Sequence, residues 1–146
     1  MFNKPAQLYL IIVLMLLASC KKEDNYSSTP SIILKNLSAD NVSEGTPITL
    51  TITYTDGDGD LGENTPGVKN LFVVDSRVNI SYGYRINELA PRGSNIIIKG
   101  DLDISLNGQS ILNGGNSEQV VYNVYVVDRA GNVSNTVSTV PITITQ

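Results

Sequence analysis

Residues Ile48-Thr49-Leu50-Thr51-Ile52-Thr53-Tyr54 alternate apolar and hydroxyl-bearing side chains without a break. A period of two sends one set to a packed face and the other to water, which is the pattern of a half-buried β-strand. Other segments repeat the signal. Ile32–Leu37 reads as a short first strand, and Val78–Ile86 as a fourth. Val68–Asp75 carries Leu71, Phe72, Val73 and Val74 in a row, which predicts a central strand covered on both faces. From Ile96 to Leu106 the even positions are Ile96, Ile98, Gly100, Leu102, Ile104 and Leu106; Gly100 predicts a bulge or bend. Val120, Tyr122, Val124 and Val126 form the inner face of a sixth strand. Val137–Thr145 is a seventh, and Pro141 predicts that it lies on a sheet edge. Gly, Pro and Asn clusters separate the segments, and no helical period occurs after residue 30.

About seven evenly spaced strands, each with one apolar face, predict an all-β fold: an antiparallel β-sandwich over residues 31–146. The Cys…Trp…Cys core of antibody domains is absent, since the chain has one Cys and no Trp. The pattern resembles the wider immunoglobulin-like, fibronectin type III and cadherin-like group. The stretch Val124-Tyr125-Val126-Val127-Asp128-Arg129-Ala130-Gly131-Asn132-Val133-Ser134 resembles the "V-x-D-x-A-G-N-x-S" end of many bacterial surface immunoglobulin-like repeats. It occurs once.

The N-terminus follows a different logic. Lys4 precedes an unbroken apolar stretch, Leu8–Ala18, which ends in Leu17-Ala18-Ser19-Cys20. At 1.5 Å per helical residue this stretch is too short for about 30 Å of hydrocarbon, so an export signal is the better reading than a span. The four closing residues resemble the lipobox of bacterial lipoprotein signals. That resemblance implies a signal peptide over residues 1–19, diacylation of Cys20, and anchoring to the outer membrane through lipid. It also accounts for a lone cysteine in an exported chain. Lys21-Lys22-Glu23-Asp24 resembles the acidic surface-export signal of Bacteroidetes lipoproteins and implies exposure on the cell surface. Residues 20–30, ending in Ser27-Ser28-Thr29-Pro30, read as a flexible lipidated tether.

Composition narrows the function. Lys and Arg number 10 against 14 Asp and Glu, for a net charge of −4, and loss of Lys4 with the signal deepens it. Such a domain is a poor partner for nucleic acid. His is absent, which removes the commonest general base and a common zinc or copper ligand. Ser76 beside Asp75 and Arg77 has no base to activate it. No enzyme is expected.

One constellation carries chemistry: Asp56-Gly57-Asp58-Gly59-Asp60-Leu61-Gly62-Glu63. Carboxylates at alternate positions can curl around a hard cation, and calcium takes six to eight oxygens. The EF-hand pattern fails, because Leu61 stands where Gly is required and Gly67 where Glu is required. In an immunoglobulin-like sandwich this loop would share a pole with Asp128 and Asn132 and with the chain's approach to the first strand. Asp56, Asp58, Asp60 and Asp128 are therefore the candidate calcium ligands. The competing reading is a solvated Gly/Asp turn, with Asp128 accepting backbone N–H groups in a hairpin of its own.

Two functions remain. One is a non-catalytic, lipid-anchored envelope module serving adhesion, spacing or as an accessory subunit, with calcium as a candidate stabiliser and an unknown protein ligand. The alternative is a glycan-binding accessory lipoprotein of a polysaccharide-uptake system, for which Tyr82, Tyr84, Tyr122 and Tyr125 are candidate stacking residues.

Overall fold

The computed structural model describes residues 26–146. The expected signal segment, Cys20 and the charged residues after it lie outside the described residues. Among those described, every regular element is a strand, and no helix is long and apolar enough to cross a membrane.

Among the described residues, ten strands form three sheets. In the first, β1 (Ser31–Leu37), β3 (Ile48–Asp56) and β6 (Ile98–Leu106) pair antiparallel in the order β1-β3-β6. In the second, β5 (Ile80–Tyr84), β4 (Leu71–Asp75), β8 (Tyr122–Val126) and β9 (Val137–Ser138) follow in that order, all antiparallel. A third has β10 (Ile142–Thr145) between β2 (Asn41–Ser43) and β7 (Ser117–Val120); β10 runs antiparallel to β7 and parallel to β2. The arrangement is an open, sandwich-like all-β fold, as the alternating segments predict.

The core forms because the inner positions of these strands meet. β3 alternates buried and half-buried residues along its whole length, and Ile48, Leu50 and Ile52 are essentially inaccessible. Leu71 and Val73 of β4, Val124 and Val126 of β8, and Ile142 and Ile144 of β10 join the same cluster. Burying a side chain of this size contributes about 1.5–3 kcal/mol.

Four expectations are corrected. Gly100 makes no bulge: β6 stays in register with β3 from Ile98 to Leu106. Its missing side chain instead admits the Tyr54 ring, since a Cβ there would lie 2.7 Å from the Tyr54 hydroxyl and 3.0 Å from ring carbons. The bulge lies in β1, between Leu34 and Asn36. β4 is covered on one face only, and on the other Phe72 stacks on Tyr125 at 5.0 Å between ring centroids. The sixth and seventh predicted strands each divide, at Val121 and around Pro141, and each half pairs in a different sheet. Thus Pro141 marks a change of partner; β9 before it is an edge, but β10 after it is central.

Candidate metal centre

The inner face of β3 runs Ile48, Leu50, Ile52, Tyr54, and its next position is Asp56. The inner face of β8 runs Tyr122, Val124, Val126, and two residues further on is Asp128. The strand period therefore points both carboxylates inward at the end of the fold where these strands finish. Asp56 is fully buried and Asp128 nearly so.

The loop after β3 curls back over this end. Asp56 Oδ2 accepts a hydrogen bond from the Leu61 N–H at 2.8 Å, and the Leu61 side chain is inaccessible in the core. Asp60 Oδ2 accepts from the Ala130 N–H at 3.0 Å, tying the loop to the turn after β8. Arg129 completes the join. Its backbone N–H donates to the Asp60 carbonyl, and its guanidinium donates to the carbonyls of Gly62 and Gly59. Gly59 has a φ of +74°, and a Cβ there would stand 2.4 Å from the Ile96 carbonyl oxygen, so this position demands glycine for two reasons.

These anchors hold Oδ2 of Asp56 and of Asp60 and leave Oδ1 of each free of them. One oxygen from each of Asp56, Asp58 and Asp60 falls within 4.8 Å of the others. Oδ1 of all three is buried and has no hydrogen-bond partner among the described residues. An unpartnered buried carboxylate oxygen is costly, and three together repel. Titration behaviour reflects this. Burial pushes the Asp60 carboxyl up to about 6, with the charges of Asp128, Asp58 and Asp56 adding to the effect. Burial also raises Asp56, helped by Asp58 and Asp128 and opposed by the Leu61 N–H.

An oxygen-only donor set of this kind fits a hard divalent cation such as calcium or magnesium. Three carboxylates would supply part of a calcium shell, leaving positions for water.

Asp128 behaves differently. Its Oδ1 accepts from the Asn132 N–H at 2.7 Å and its Oδ2 from the Asn132 side-chain amide at 2.9 Å. Both oxygens serve its own turn, and it stands outside the three-carboxylate group, raising its neighbours' affinity for protons through its charge. The expected convergence of the two loops at one pole is present. The anchoring roles of Leu61 and Ala130 have no signal in the sequence, because backbone donors leave no mark in residue type, and the carbonyls that the Arg129 guanidinium binds leave none either.

The lead-in to β1 reaches the same pole. Gly57 N–H donates to the Ser27 carbonyl at 2.9 Å. A Cβ on Gly57 would lie 2.5 Å from the carbonyl oxygens of both Ser27 and Tyr26. Lys99 Nζ sits 3.7 Å from the centre of the Tyr26 ring and hydrogen-bonds its hydroxyl.

The tyrosines divide. Tyr82, Tyr84 and Tyr122 line one cavity of about 220 Å³ together with Asp75, Arg77 and Gln109. Tyr125 is on the outer face with Phe72. In the cavity wall Arg77 donates to both oxygens of Asp75, to the Ser110 carbonyl and to Glu118. Burial alone would raise the Asp75 carboxyl, but Arg77 outweighs it and holds it below the usual range. Burial, with Asp75 adding to it, pushes the Tyr122 phenol up to about 12.

No family model matches this chain, and neither does any curated protein or solved structure.

Proposed function

We propose that this chain is a non-catalytic, lipid-anchored module of a bacterial cell envelope whose β-sandwich is held at one pole by a calcium ion. The observation that carries the cation is the trio of buried Oδ1 atoms on Asp56, Asp58 and Asp60, unpartnered among the described residues, with Asp56 wholly enclosed. The anchor rests on Leu17-Ala18-Ser19-Cys20, and surface exposure on the charged residues that follow. Outside cells calcium is abundant, so affinity in the range of about 0.1–1 mM is enough for occupancy. At a hundredfold excess over its dissociation constant the ion stabilises the fold by about 2.7 kcal/mol. The module then acts as an adhesive, spacer or accessory subunit.

The test has two arms. Calorimetric titration of the protein with calcium gives saturable binding and a rise in melting temperature, and an excess of chelator reverses both. Cell fractionation finds the wild type with membranes and Cys20→Ala released or unprocessed. A melting temperature indifferent to millimolar calcium leaves the aspartate loop as a turn; unchanged membrane retention and processing of Cys20→Ala removes the anchor.

A second reading, a glycan-binding accessory lipoprotein, draws support from the cavity lined by Tyr82, Tyr84 and Tyr122 beside Asp75 and Arg77. Tyrosine faces and fixed polar groups are what a sugar ring needs. Retention of the protein by an immobilised polysaccharide, lost in Tyr82→Ala, favours this reading over the first.

A further inference from the structure

We propose that the aspartate loop is also a clamp on the segment that leads into the domain, so that cation binding and docking of Tyr26–Pro30 are one coupled event. This rests on the cation reading above and adds a consequence to it. Gly57 lies between two of the three clustered carboxylates, and its N–H is the donor that holds the Ser27 carbonyl. The two backbones touch so closely that no side chain fits between them. A cation that draws Asp56, Asp58 and Asp60 together fixes Gly57 in the position that receives the segment. With the ion removed, three carboxylate oxygens within 4.8 Å repel, the loop spreads, and the hydrogen bond from Gly57 to Ser27 is weakened with it.

A second contact lies on the neighbouring strand. Lys99 of β6, which holds the Tyr26 ring, pairs with Thr55, the residue just before Asp56. Thr55 also pairs with Ser31 at the start of β1. Loop, lead-in segment and β6 thus meet at one point. Cys20 precedes Tyr26 by six positions, so the intervening chain spans at most about 20 Å. A clamp here sets the direction in which the domain stands from whatever holds Cys20.

Coupling is reciprocal: what the cation does for docking, docking does for cation affinity. The experiment uses the full chain in detergent micelles, with calcium chloride or chelator. Chymotrypsin cleavage after Tyr26 reports docking, and calorimetry reports calcium affinity. Calcium is expected to slow that cleavage about three- to tenfold, and Lys99→Ala to weaken calcium binding by a similar factor. The second result discriminates by sign, because removing a positive charge near an acidic site would by electrostatics alone strengthen cation binding. Tyr26→Ala, which alters no charge, is expected to weaken calcium binding in the same direction. If calcium binds and raises the melting temperature while cleavage after Tyr26 ignores it, and both variants keep wild-type affinity, the clamp is wrong and the site stands. If calcium neither binds nor stabilises, the site itself is wrong and the clamp goes with it.

Discussion

Asp56 occupies the position where the period of β3 would place another Ile or Leu. A carboxylate at the end of a buried face, one oxygen satisfied by Leu61 and the other by nothing among the described residues, destabilises the fold unless something neutralises it. Asp58 provides the cleanest probe, because among the described residues no backbone N–H donates to its side chain, whereas Asp56 and Asp60 each accept one. Asp58→Asn is expected to do opposite things in two conditions. Without divalent cation it removes one of three mutually repelling charges and stabilises the protein by about 1–3.5 kcal/mol, the Coulomb energy of a unit pair at this separation as the effective dielectric goes from that of water to that of a protein surface. With calcium it removes a ligand and abolishes most of the calcium-induced rise in melting temperature. Thermal unfolding of both proteins in both buffers checks this; a variant less stable than wild type in chelator contradicts the repulsion. The inward aim of Asp56 and Asp128 is legible in the sequence, since both continue an apolar period-two series. The difference between them is not. Whether Asp128 points its oxygens to a cation or to Asn132 depends on how tightly a five-residue turn closes, and the residue types suit either outcome.

At the scale of elements, local alternation identifies the segments that become strands but not which strands pair, because pairing is decided by distant partners. The apolar series Val120, Tyr122, Val124, Val126 runs from the last residue of β7 through β8 and across the break at Val121, where the chain leaves β10 for β4 and β9. The short β2 carries too few residues to show a period. An unbroken apolar run misleads in a specific way: Leu71-Phe72-Val73-Val74 looks buried on both sides because an outer-face aromatic pair, Phe72 on Tyr125, is itself apolar. Gly100 is the clearest case. Its role is set by Tyr54 on the paired strand, 46 positions earlier in the chain, and not by any bend of its own. Gly100→Ala is therefore expected to destabilise the domain by about 1–3 kcal/mol through overpacking against the Tyr54 ring. In a Tyr54→Leu background the same change is expected to cost less, by at least about 0.5 kcal/mol, as contacting residues couple. Denaturant unfolding of the four proteins measures the coupling, and strict additivity would place the glycine requirement elsewhere.

The two ends of the whole molecule carry buried carboxylates of opposite character, and this fixes how the fold responds to pH. At one pole Asp60 is raised to about 6 and Asp56 is raised as well, because burial and neighbouring negative charge disfavour ionisation. Arg129 supplies positive charge there, but its guanidinium is directed at the carbonyls of Gly59 and Gly62. At the other end Asp75 is held below its ordinary value by Arg77, against the effect of burial. For Asp60 the folded protein binds more protons than the unfolded chain between about pH 4 and 6, and Asp56 acts in the same direction, so stability falls as pH rises through that window. For Asp75 the sign is reversed: its contribution is present above about pH 4 and is lost as acid protonates it. In buffer freed of divalent cations the melting temperature is therefore expected to peak between about pH 4 and 6, on the acid side of neutrality. Calcium replaces the proton as the neutralising partner of the aspartate loop, so added calcium should lift stability most at pH 7 and least at pH 5, moving the maximum toward neutrality. Melting curves from pH 3.5 to 8, with and without calcium, test both halves. A cation-free maximum at neutral pH would mean that the aspartate pole carries no strain for an ion to relieve, and an equal calcium shift at pH 5 and pH 7 would mean that the ion and the proton do not share a site.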